Sequence, residues 1–170
     1  MAMPKLPLTL TRKTLLYASK TLLGAIISWY ALRAFGIVDP VWGIITIILV
    51  SDPDMSTAAN LSKVRIINTV VGCIIGLISL FLFGYAPSSM ILTVVATILL
   101  VMSYEKYPSN WRLAPVTVVI LMDAARLATS SAEELELAFM RAGEIAFGCA
   151  VALVLSFLYA PLNQNKGRVG

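Results

Sequence analysis

The sequence predicts an all-α, polytopic membrane protein of about six transmembrane segments, arranged as two inverted three-helix repeats. Three observations carry this. Of the 170 residues, 59% are hydrophobic and 13% charged, against roughly a quarter charged in soluble domains. The apolar residues come in runs long enough to cross hydrocarbon, about 20 residues of helix per span, and the mean hydropathy is +0.87. One pattern also occurs twice: Arg65, then Gly72-Cys73, then Phe83-Gly84-Tyr85-Ala86-Pro87, and again Arg141, Gly148-Cys149 and Phe157-Leu158-Tyr159-Ala160-Pro161.

The elements follow in order. Residues 1–10 form a polar arm with Pro4 and Pro7. Helix 1 is expected over 13–36, closed by Gly36 and Asp39-Pro40, because proline cannot continue a helix. Lys20 and Arg33 interrupt its apolar stretch and no small-x-small cleavage site follows, so a retained helix is expected, not a signal peptide. Pro40–Ser51 is a second apolar segment of about 12 residues, roughly 18 Å of helix and too short to cross alone. Asp52-Pro53-Asp54 breaks it. Helix 3 starts at Ser56 or Thr57 and runs to Gly84, and helix 4 covers 88–104. After the polar loop Glu105–Asn110, helix 5 spans Trp111–Leu127. Ser-Ser-Ala-Glu-Glu at 130–134 caps helix 6, which is expected to end at Pro161 before a polar tail over 162–170. The transmembrane domain is thus 11–161, with repeats over 11–87 and 88–161.

Charge sets the orientation. With the N-terminus inside, ten of the 13 basic residues fall at inner ends, leaving Arg33, Arg126 and Arg141 outside with Asp39 and Glu133, Glu134, Glu136. That asymmetry obeys the positive-inside rule and puts both termini in the cytoplasm. An odd number of helices per repeat inverts the second repeat relative to the first, placing Arg65 toward one face and Arg141 toward the other. The net charge of +4 is scattered over helix ends, with no basic face for nucleic acid.

An ionisable side chain at bilayer depth costs about 2.5–3.5 kcal/mol on insertion scales, so it normally faces protein or water. Lys20, Arg65, Arg141 and Arg126 are the candidate lining of a substrate path, since basic rings select anions. Each has a plainer alternative. Lys20 and Arg65 can snorkel to headgroups, Arg141 can pair with Glu136 or Glu144, and Arg126 with Asp123 three residues before it. Asp52 and Asp123 are candidates for coupling or charge balance, and Pro53 for the helix break. Asp54 and Ser56 read better as an N-cap than as part of an anion site at the start of helix 3. Gly72-x-x-x-Gly76 and Gly148-x-x-x-Ala152 are small-xxx-small motifs whose expected role is close helix packing. Cys73 and Cys149 are expected to be small packing residues. Histidine is absent, and there is no P-loop, catalytic Ser/His set or metal spacing, so neither an enzyme nor a cofactor or metal site is expected.

The run Lys20…Pro40-Val41-Trp42-Gly43…Ile48-Leu49-Val50-Ser51-Asp52-Pro53…Leu61-Ser62-Lys63-x-Arg65…Thr69-x-x-Gly72 resembles the fusaric acid resistance and aromatic acid exporter family of bacteria. It is distantly similar to the aluminium-activated malate channels of plants. Arg141…Glu144…Gly148…Pro161 is similar to that family's closing helix, and the likeness covers 15–161. The resemblance implies a six-helix domain of the inner membrane that moves organic anions, aromatic ones included, with Lys20, Arg65 and Arg141 near the path. The large exporters have a soluble domain and more than one such unit, so a homodimer or higher homo-oligomer is expected here. The rival expectation is a non-transporting scaffold or assembly subunit, its arginines paired internally or bound to lipid. A weaker one is a cation or proton path along Asp52 and Asp123.

Overall fold

The computed structural model describes residues 11–52, 54–108, 110–126, 128 and 130–164. Pro53, the expected helix break, lies outside these, as do the arm over 1–10 and the tail from 165. The described residues are all-α, with no strand among them: α1 (Arg12–Ala34), α2 (Val41–Val50), α3 (Met55–Phe83), α4 (Pro87–Ser103), α5 (Leu113–Ala125) and α6 (Ser131–Gln164). Three of them, α1, α3 and α6, are long and apolar enough to cross a membrane. At 10 residues, α2 extends only about 15 Å.

The helix ends follow from local chemistry. Asp54 caps α3: its carboxylate accepts from the Thr57 N–H at 2.8 Å and from the Ser56 hydroxyl. These bonds, the Ser56 one foremost, hold the Asp54 carboxyl below the usual carboxylate range. The cap occupies the donors that a free helix start would offer an anion. Pro87 opens α4 at its first turn, where its missing N–H costs nothing. Asn110 takes a left-handed φ of 63°, so the chain turns through Trp111–Arg112 and α5 begins at Leu113, two residues later than the sequence predicts. Pro161 does not end α6, which continues to Gln164. Pro161 removes one intrahelical bond, and the helix carries on past it.

The two long helices α3 and α6 pack on one another, with α5 against α3 and α2 against α6; α1 closes the α2–α6 side and α4 the α5 side. Two clusters form the core. Leu80, Val118, Leu121, Met122, Ala125 and Ala138 join α3, α5 and α6. Ile47, Val50, Ile145, Cys149 and Ala152 join α2 and α6. Glycines make the close approaches possible. A Cβ on Gly72 would lie 2.6 Å from the Ala114 carbonyl of α5, and one on Gly148 would lie 2.6 Å from the Gly43 carbonyl of α2. Through their Gly-Cys motifs α3 thus meets the short helix α5, and α6 the short helix α2. Gly76 lies equally tight against Leu121, and Ala152 is fully buried. The opposite faces, with Val70, Ile74, Ile78 and Phe81 on α3, stay exposed and apolar, as a surface turned to lipid must be.

Candidate functional site

Arg65 sits in the interior of α3 with no exposed surface. None of its three guanidinium nitrogens has a hydrogen-bond partner among the described residues. It reaches a cavity of about 240 Å³ walled by Leu49 and Val50 of α2, Leu61 of α3, and Asn110, Arg112 and Leu113 at the entry to α5. Arg112 is exposed and stands over the Trp111 ring, 5.3 Å from its centroid. The cavity therefore has a fully buried cation and an exposed one among its lining residues, with aliphatic side chains between them. One turn on from Arg65, Asn68 donates to the Val64 carbonyl at 2.8 Å and accepts from the Tyr107 hydroxyl at 3.1 Å, tying the α4–α5 loop to α3.

Arg141 occupies the matching place in α6 but is satisfied. Its Nη1 donates to Glu144 Oε1 at 2.6 Å and to the Asp39 carbonyl at 3.2 Å. Its side chain is 23% exposed and that of Glu144 is fully buried. The difference between the two arginines is one residue three positions on: glutamate in the second repeat, asparagine in the first. Aligning Arg65-x-x-Asn68 with Arg141-x-x-Glu144 would have exposed it, and sequence reasoning did not do so. It also passed over Asn110 and Arg112, which nothing in the local sequence brings next to α3.

Lys20 lies apart from the Arg65 cavity lining. It is buried, and its ammonium donates to the Asp52 carbonyl at 2.5 Å and to Ser156 Oγ at 2.8 Å, joining the end of α2 to α1 and α6. The Asp52 carboxylate accepts from the Asp54 N–H at 2.8 Å. Arg126 and Asp123 face each other across 3.8 Å at the end of α5, both well exposed. The four basic candidates therefore occupy four separate environments. Cys149 is buried, its thiol 4.0 Å from the Ser62 carbonyl, and Cys73 is half-buried between α3 and α6.

Long apolar helices, buried cations and a cavity reached from a helix entry define a polytopic helical membrane protein with a built interior site. The chain belongs to the fusaric acid resistance protein-like family, whose model matches residues 21–155, most of its length. That is a family of membrane transporters, and a membrane location and a role in membrane transport come with it. No curated protein and no solved structure matches the chain. The likeness to plant malate channels finds no support in these comparisons.

Proposed function

We propose that this chain is a carrier or channel for organic anions, aromatic carboxylates among them. It works as a homodimer or higher homo-oligomer in the bacterial inner membrane, both termini cytoplasmic, with two inverted repeats over 11–87 and 88–161. The observation that carries this reading is Arg65. A guanidinium with no exposed surface and no acceptor among the described residues leaves a charge in low dielectric uncompensated, which costs several kcal/mol. A carboxylate in the cavity would supply the missing acceptor, bidentate on the fork of Arg65. Arg112 in the lining adds attraction, and Leu49, Val50, Leu61 and Leu113 suit an apolar body behind the charged group. The cross-packing of Gly72 on α5 and Gly148 on α2 supports the repeat. In this reading Arg141 marks the opposite, outer mouth.

Protein reconstituted in liposomes should move benzoate. Arg65→Gln should reduce that flux, and adding Arg141→Gln should reduce it further. Flux unchanged in the double variant would remove the arginines from the path. No flux from the wild type for any tested anion, with a stable co-purifying protein, would favour a scaffold instead. Reversal potentials that follow a cation gradient would favour a path along Asp52 and Asp123.

A further inference from the structure

Glu144 carries more than the pairing of Arg141 requires. It lies within Ala132–Pro161, the stretch of α6 long and apolar enough to cross a membrane, has no exposed surface, and meets Arg141 through only one oxygen. Oε1 takes the 2.6 Å bond from Arg141, while Oε2 has no hydrogen-bond partner among the described residues. Two further buried oxygens nearby are in the same condition, Ser28 Oγ of α1 and Thr46 Oγ1 of α2. Gly43 gathers them. A Cβ there would stand 2.5 Å from Ser28 Oγ and 3.5 Å from the Glu144 carbonyl, and one on Gly148, a turn past Glu144, would stand 3.0 Å from Thr46 Cβ.

The charged groups acting on Glu144 are Arg141 from its own helix and Asp39 from the α1–α2 loop, with the Trp42 N–H at the start of α2. Helix α2 has no titratable side chain, and α1 brings Ser28 and, about three turns farther along α6 at Ser156, the ammonium of Lys20. Helix α3 sets Arg65 against Cys149 and Cys73 near Ala138, both away from the carboxylate, and α5 has only its exposed Asp123–Arg126 pair.

We infer that Glu144 is a proton-binding site coupled to anion occupancy of Arg141, so that a proton accompanies the anion through the outer half of the protein. The inference rests on the transport reading. A buried carboxylate with one cation has two low-energy states, the ion pair and the neutral acid. A proton from water on the outer side forms an Oε2–H bond, which removes the negative charge from the oxygen that has no partner among the described residues. The bond to Arg141 loses its charge assistance. Arg141, still held on the Asp39 carbonyl and partly exposed, is then a free cation for an incoming carboxylate. When the anion leaves, Arg141 recovers Glu144 and the proton returns to water. Each anion at Arg141 is thus matched by one proton at Glu144, and by linkage each promotes binding of the other.

The test uses the full chain in liposomes with benzoate as probe. Addition of benzoate should draw protons from a weakly buffered medium containing a pH-reporting dye, and an imposed pH gradient should accelerate benzoate uptake. Glu144→Gln should lose both the proton uptake and the acceleration, and Glu144→Asp should restore them. Equal proton uptake in wild type and Glu144→Gln, or equal acceleration, overturns the inference. Should Glu144→Gln fail to fold, wild-type benzoate uptake with no proton uptake overturns it as well. Wild type that moves no benzoate defeats the transport reading. Glu144 is then decided by infrared spectra: a protonated carboxyl band that grows with falling pH in the wild type supports the site, and its absence overturns it.

Discussion

Replacing Arg65 by methionine separates a cation kept for a ligand from one kept for the fold. Methionine retains an unbranched stem and removes the charge. In the wild type that charge is fully buried and has no acceptor among the described residues. Insertion scales put an intramembrane arginine at about 2.5–3.5 kcal/mol, and removing it returns much of that. Loss of the guanidinium enlarges the 240 Å³ cavity, which works the other way at about 24 cal/mol per Å³. The net expectation is a stabilisation on the order of 1–3 kcal/mol, or roughly 2–4 °C of melting temperature per kcal/mol for a chain of this size. Benzoate should stabilise the wild type, by about 2.7 kcal/mol at a hundred times its dissociation constant, and Arg65→Met should lose the share of that shift that belongs to the Arg65 cavity. Thermal unfolding of the purified variants with and without benzoate measures both effects. A variant that melts lower than the wild type while keeping the full benzoate shift would refute the reasoning. Arg65 would then be held by a partner and would serve the fold.

Lys20→Met leaves the Asp52 carbonyl and Ser156 Oγ without their donor, and should cost about 1–3 kcal/mol in thermal unfolding with anion preference unchanged in flux assays. Gly148→Val puts a side chain where the Gly43 carbonyl already stands 2.6 Å from a Cβ, and overpacking of about 1–3 kcal/mol or more should appear as reduced yield and a lower melting temperature. Gly143→Ala, on the same helix with nothing within 4 Å of the new Cβ, should instead gain up to about 1 kcal/mol from helix propensity. Arg126→Gln breaks an exposed 3.8 Å pair, so stability should move by no more than about 0.5 kcal/mol and flux should stay at the wild-type level.

The helices were legible because their signals are local. Apolar runs set the long spans, Asp54 announced the start of α3, and Pro87 the start of α4. Boundaries slipped where a tertiary or backbone detail intervened, at Asn110 before α5 and at Pro161 inside α6. The site was legible in part. Arg65 and Arg141 stand out as charges in apolar sequence, and nothing in their flanks says that one is paired and the other is not until Asn68 and Glu144 are set side by side.

By itself, then, the sequence determined a helical membrane protein, a motif that recurs in two long helices and the charges that must be accounted for inside it. These depend on composition and periodicity, which a chain carries with it unfolded. Only the tertiary structure decided which charges met a partner. Lys20 finds a carbonyl 32 positions away and Ser156 136 positions away, Arg141 finds the Asp39 carbonyl, and Arg65 finds Arg112 across a cavity and no acceptor among the described residues. Pairing is a matter of distance in space, and in a bundle of six helices that distance is set by which faces meet, not by order along the chain.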